Sequence, residues 1–87
     1  MAVDPMVRPF LAAMAENDGV IVEIDSDGTV WGRAACPHIA RTTRRITNTR
    51  DIDALVTATA FCARASCEAR QQARALLAEL AVIGAVR

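Results

Sequence analysis

Three cysteines and the only histidine of the chain fall at Cys36, His38, Cys62 and Cys67, and together they make the donor set of one closed tetrahedral zinc site. Zinc takes thiolate and imidazole donors four at a time in structural sites, and Cys3His is an established combination. Such a site would pin residues 36 and 38 against residues 62 and 67, so it constrains the fold more than any other feature. The spacing is irregular. Common zinc signatures pair their ligands as Cys-x2-Cys or His-x3-5-His, whereas Cys36-Pro37-His38 leaves one residue between its donors and Cys62 to Cys67 leaves four.

The geometry of the two pairs can be argued separately. Pro37 biases Cys36 toward extended backbone, and residues two apart on an extended segment point to one side, so Cys36 and His38 can face one point. Cys62 and Cys67 are five positions apart, which is a rotation of about 140° on a continuous helix. They can share a metal only if the helix breaks between them. Ser66 is the expected break, as the N-cap of a new helix with Cys67 at its first position, where the positive helix end favours a thiolate. Two other readings stay open at this point. The cysteines can be ordinary buried small residues with His38 in an exposed loop, or Cys67 can be a redox or catalytic thiol.

A chain of 87 residues is read as one small domain, 1–87. It buries only roughly 60–65% of its unfolded surface and needs a staple or a partner. No apolar stretch approaches the ~20 residues that span a bilayer. The longest, Leu80 to Val86, is short and contains Gly84. The first residues show no export signal, so a cytoplasmic protein is expected, where thiols stay reduced or metal-bound and an odd count argues against a disulfide framework.

Along the chain, Asp4-Pro5 suits an N-cap and first turn, and Phe10, Leu11 and Met14 recur at helical spacing, giving a short helix over residues 9–16. Asn17-Asp18-Gly19 predicts a left-handed cap after it. Val20–Ile24 and Thr29–Arg33 are β-branched runs around Asp25-Ser26-Asp27-Gly28, which predicts a hairpin turning at Ser26-Asp27 or Asp27-Gly28. The Asp-x-Asp-Gly of that turn lacks the further oxygen ligands and closing Glu of a calcium loop. A third strand can form over residues 40–47. Thr49 is the expected N-cap of a helix over roughly 50–64, with Ile52, Leu55, Val56, Thr59 and Cys62 on one side. The last segment predicts a helix over about 67–86, with a seam of Ala69, Ala73, Leu76, Leu80 and Ile83 widened by Leu77, Ala81, Val82 and Val86. The fold class is therefore α+β. A helix this apolar is either the central helix or a dimer surface, and a homodimer burying Leu76, Leu80 and Ile83 is expected because so small a chain covers such a face with difficulty.

Net charge is zero, but its distribution is uneven. Residues 1–27 carry Asp4, Glu16, Asp18, Glu23, Asp25 and Asp27 against Arg8, while residues 28–50 carry Arg33, Arg41, Arg44, Arg45 and Arg50 without an acid. Guanidinium groups recognise phosphate bidentately, and Arg41-Thr42-Thr43-Arg44-Arg45 offers the donors phosphates accept. Against a dedicated nucleic-acid binder stands the neutral overall charge, and the upstream acids can neutralise the cluster. There is no nucleophile elbow, phosphate loop or HExxH, so no enzyme is expected. The sequence resolves to a small, non-enzymatic regulatory protein, zinc-stapled and binding nucleic acid through its arginines or acting in transcription. The competing reading is an adaptor or inhibitor working through its apolar C-terminal helix.

Overall fold

Two layers follow from this pattern, helices on one side and a small sheet on the other. The computed structural model describes residues 5–39 and 43–85. A 3-10 turn at Pro5–Val7 runs into α1 (Arg8–Ala15), then β1 (Val20–Ile24), β2 (Val30–Ala34), β3 (Arg44–Arg45), α2 (Thr49–Ala60) and α3 (Glu68–Ala85). The fold is α+β, as the sequence predicts. Pro9 sits in the first turn of α1, where its missing N–H removes no helical bond. Asp4 lies outside the described residues.

The sheet is an antiparallel meander, β1-β2-β3, with Val20 opposite Ala34 and Ile24 opposite Val30. Its turn centres on Ser26-Asp27. The N–H of Gly28 donates to the Asp25 carbonyl at 2.9 Å and the N–H of Asp25 to the Thr29 carbonyl at 2.9 Å, with Gly28 at φ +86. This is a three-residue hairpin loop whose left-handed position only glycine fills without strain. Of the expected third strand, only Arg44 and Arg45 pair among the described residues, with Gly32 and Trp31; residues 40–42, Arg41 among them, lie outside the described residues.

Helices cover one sheet face. α1 packs on β1, α2 packs on β2 and β3, and α3 lies across α1 and α2. Between the layers sit Val7, Met14, Ile46, Ile52, Leu55, Val56 and Leu76, all essentially without solvent exposure. The expected inner side of α2 is borne out: Ile52, Leu55, Val56, Thr59 and Cys62 are all buried, and the Thr59 hydroxyl donates to the Leu55 carbonyl at 3.0 Å. Its cap is shifted by one residue from the expected Thr49. Asn48 Oδ1 accepts the Asp51 N–H at 3.0 Å, while Asp51 Oδ2 accepts the Thr47 N–H at 2.9 Å. This reciprocal arrangement satisfies two otherwise orphaned donors, and the bond from the Thr47 N–H, ahead of smaller contributions including the charge of Arg44, holds the Asp51 carboxyl below the usual range. α2 ends at Ala60 rather than near residue 64, with the Phe61 N–H closing on the Thr57 carbonyl at 3.0 Å.

Two further expectations are corrected. The glycine of the expected left-handed cap does not supply it: α1 closes at Glu16 with φ −89, and Gly19 is not left-handed. Gly19 serves close approach instead. A Cβ built there would lie 2.8 Å from the Ala69 carbonyl oxygen and 2.8 Å from the Ala73 nitrogen, so the chain presses directly onto the α3 backbone. Asn17 fixes the approach, with Oδ1 accepting the Gly19 N–H at 2.8 Å and Nδ2 donating to the Gln72 carbonyl at 3.0 Å.

The second correction concerns α3. Leu76 is 0% and Leu80 8% exposed within the single chain, and Ile83 packs half-buried against the same core. The residues expected at a dimer interface therefore form the core of one chain, because α1 and α2 both lie against α3 and cover the seam. The seam is also narrower than read. Ala81 is exposed, Val82 is 64% exposed, and Val86 lies outside the described residues. No helix among the described residues is long and apolar enough to cross a membrane.

The Gly19 contact is directly testable. Gly19→Ala drives a methyl into helix backbone that cannot rotate away, and overpacking of this kind costs about 1–3 kcal/mol. Thermal denaturation should show a Tm lower by about 4–8 °C for each kcal/mol lost. Gly84→Ala, whose added Cβ meets nothing within 4 Å, should leave Tm unchanged or raise it, since alanine is favoured by up to ~1 kcal/mol within a helix.

Candidate metal centre

Each ligand reaches the centre for a local reason. β2 ends at Ala34, and the Ala35 N–H donates to the Gly19 carbonyl at 3.0 Å, which carries the strand direction one residue further and aims Cys36-Pro37-His38 at the gap between α2 and α3. At the end of α2, the Cys62 N–H bonds to the Thr59 carbonyl at 3.2 Å, so Cys62 stays on the buried side of the helix it follows. The loop then reverses, and the Cys67 N–H donates to the Arg64 carbonyl at 3.0 Å. The Cys67 carbonyl accepts from Gln71 at 3.3 Å, so Cys67 is itself the N-cap of α3. The helix breaks between the two cysteines as the spacing requires, with the cap falling on Cys67 rather than Ser66.

The result is convergence. The Sγ atoms of Cys36, Cys62 and Cys67 and a ring nitrogen of His38 all lie within 4.8 Å of one another, and Cys62 Sγ is 3.6 Å from His38 Nδ1. A tetrahedral ion with bonds of ~2.0–2.3 Å needs its ligand atoms about 3.5–3.8 Å apart. These four side chains are therefore close enough to hold one metal ion. No disulfide joins the cysteines.

The electrostatics fit a cation. Burial pushes the Cys36 thiol up, and the neighbouring sulfurs of Cys67 and Cys62 add to that rise. Cys67 is held below the usual thiol range, first by the backbone N–H of Arg70 donating to its sulfur and then by hydrogen bonds from the other two thiols. Without a cation the sulfurs of Cys36 and Cys67 compete, since the contact that favours the Cys67 thiolate disfavours that of Cys36. A divalent ion among them removes that competition, because a coordinating thiol is deprotonated outright. The start of α3 contributes its positive helix end to the same point.

The surroundings carry little apolar surface. Cys62, Cys67 and Ala69 form a small buried cluster of their own, with Cys36 and Ile39 packed against it, separate from the main core. A depression of about 450 Å³ opens over the centre and is lined by Cys36, Pro37, His38 and Cys67, with Arg64 and Glu68 among its other walls. Cys62 lies on the inner side.

The arginine cluster, in contrast, is dispersed. Paired residues of adjacent antiparallel strands share a face, so Arg45, opposite Trp31, points to the open side, whereas Arg44, opposite the buried Gly32, points to the helix side. Arg33 Nε lies 3.4 Å from Glu23 Oε1, and Arg50 is exposed in the first turn of α2. Arg33, Arg44, Arg45 and Arg50 therefore do not form one patch. The reading by sequence also passed over Trp31, which lies on the open sheet face with Nε1 donating to Asp25 Oδ2 at 2.8 Å. Its position two residues from Arg33 in an alternating strand was the available signal. No family model, curated protein or solved structure matches the chain.

Purified without chelator, the protein should carry one metal ion per chain by elemental analysis. Cys62→Ser should lose the ion and most of the thermal stability, since structural metal binding in small domains supplies on the order of 10 kcal/mol, comparable to the ~5–15 kcal/mol that holds a domain folded. A metal-free chain that melts cooperatively at the same temperature as the untreated protein would remove the site.

Proposed function

We propose that this chain is a small, non-enzymatic regulatory domain stapled by one zinc ion at Cys36, His38, Cys62 and Cys67, and that it binds nucleic acid on the open face of its sheet. The observation that carries the reading is the convergence of all four donor atoms within 4.8 Å. Zinc is the metal this donor set favours, because three thiolates and an imidazole in a tetrahedron suit a borderline-soft ion without geometric preference of its own. Four protein ligands leave no open coordination position, which supports a structural staple rather than a catalyst. Three cysteines without a disulfide suit a reducing compartment such as the cytoplasm.

The nucleic-acid part rests on the open sheet face. There Trp31 lies between Glu23 on β1 and Arg45 on β3, with Arg33 two residues along the same strand and a shallow groove of about 440 Å³ beside them. An indole fixed by Asp25 and flanked by guanidinium groups is the chemistry that binds single strands, with a base stacked on the ring and phosphates on the arginines. The face in this reading contains two of the five arginines, Arg33 and Arg45. The competing adaptor reading needs the apolar side of α3, and that side is buried against α1 and α2.

Trp31 is the only tryptophan and so reports its own stacking. Titrating a single-stranded oligonucleotide at ~50 mM salt should quench its fluorescence, and log K should fall against log salt with a slope of about −1 to −2 for two phosphate contacts on a single strand. Trp31→Ala should weaken binding by ~1–3 kcal/mol, and Arg33→Glu with Arg45→Glu should abolish it while the helical signal is kept. An unquenched wild-type protein that fails to shift the oligonucleotide at that salt refutes nucleic-acid binding and leaves only the metal-stapled domain of this proposal.

A further inference from the structure

We infer that the metal centre is also a peroxide-sensitive release device, in which Cys36 and Cys67 oxidise to a disulfide and let the metal go while Cys62 is spared. The inference rests on the zinc centre proposed above and concerns its regulation. It comes from an asymmetry in access. Cys36 and Cys67 line the depression that opens over the centre, and Cys62 does not. Cys36 is half-buried, whereas Cys62 and Cys67 are both buried, and Cys62 Sγ has His38 Nδ1 at 3.6 Å. A small hydroperoxide therefore meets Cys36 first, and Cys67, on the wall of the same depression, has its sulfur within 4.8 Å of it.

The chemistry balances with the hydroperoxide as sole oxidant. The Cys36 thiolate, the more exposed, attacks the terminal peroxide oxygen. An S–O bond forms, the O–O bond breaks, and the departing oxygen takes one proton to leave as an alcohol or, from hydrogen peroxide, as water. Cys36 is then a sulfenic acid. The Cys67 thiolate attacks that sulfur, the S–S bond forms, and the hydroxyl leaves as water with a second proton. Two thiolates lose two electrons, one O–O bond accepts them, and the metal keeps its oxidation state. Closing the bond brings the sulfurs to ~2.05 Å. Neither sulfur is then a thiolate, and only the Cys62 thiolate and His38 remain of a four-donor set.

The fold consequence is local. A Cys36–Cys67 bond keeps the segment after β2 tied to the N-cap of α3, so only the end of α2 and the loop 61–66 lose their anchor. Oxidation therefore loosens one turn instead of unfolding the chain, and reduction in the presence of zinc restores the starting state.

The test uses the full chain as purified, with zinc content measured first. Added hydrogen peroxide should release close to one zinc per chain to a chromogenic chelator. The released protein should be about 2 Da lighter, the two hydrogens of one disulfide, and peptide mapping should show Cys36 linked to Cys67 with Cys62 still open to alkylation. Circular dichroism should keep most of its helical signal, and dithiothreitol with zinc should return the ion to the protein. A zinc-loaded protein that keeps its metal in a tenfold excess of peroxide, or whose crosslink includes Cys62, overturns the release device and leaves the centre standing. A chain that binds no zinc as purified or on reconstitution overturns both.

Discussion

The end of the molecule where β2, α2 and α3 meet has almost nothing apolar to hold it. Its buried cluster consists of Cys62, Cys67 and Ala69, with Cys36 and Ile39 at the edge. A buried methylene contributes about 0.8 kcal/mol, so these small side chains supply far less than the leucines and isoleucines of the main core. Ordering the loop between Ala60 and Glu68 costs roughly 1–2 kcal/mol per residue in backbone entropy. Hydrophobic burial at this end falls well short of that cost. In the function proposed above, one ion held by the four donor atoms would supply what burial does not.

The meeting of these donors explains the path of the α2–α3 connection. A continuous helix would separate Cys62 and Cys67 by about 140°, so α2 must stop, and it stops with its last carbonyls provided for. Arg74 reaches across from α3 to donate to the Ala60 carbonyl at 3.2 Å. α3 must then start with Cys67 facing back toward Cys62, which makes a cysteine the N-cap in place of the serine before it. Sulfur is a poor capping group compared with a hydroxyl or carboxamide, yet the Arg70 N–H points at it. Position relative to the other three donor side chains outweighs capping preference here.

Much of this was legible in the sequence, and the failures share a cause. The hairpin, the α+β class, the inner face of α2 and the ligand set all rest on local periodicity or on residue types with few alternative uses. The caps were misplaced by one residue, Asn48 for Thr49 and Cys67 for Ser66, because neighbouring polar residues compete for the same orphan donors and only the tertiary direction of the chain decides between them. Gly19 was read as a left-handed cap because glycine serves both strained backbone and close approach, and the Ala69–Ala73 partner lies fifty residues away in sequence. Periodicity identified the apolar side of α3 but not its cover, which α1 and α2 supply. The arginines looked like a patch because they are close along the chain. Strand alternation then sends Arg44 and Arg45 to opposite sides.

The metal centre and the open sheet face share one strand, and this ties the two parts of the proposed function together. β2 presents Trp31 and Arg33 outward, ends at Ala34, and delivers Cys36 to the centre two residues later. Its end is also fixed by the Ala35 bond to Gly19, and Gly19 in turn lies against the α3 backbone next to Ala69. Cys67, two residues before Ala69, closes the circuit back to the centre. A strand anchored in this way holds its outward side chains at small entropic cost, which is what a stacking surface requires, because affinity gained from a single ring is easily lost to ordering that ring on binding. The one bond at the far end of the surface, from the Trp31 indole to Asp25 in the hairpin loop, completes the support. In that proposal an ion at the centre would hold one end of β2 while the Trp31–Asp25 bond holds the ring at the other.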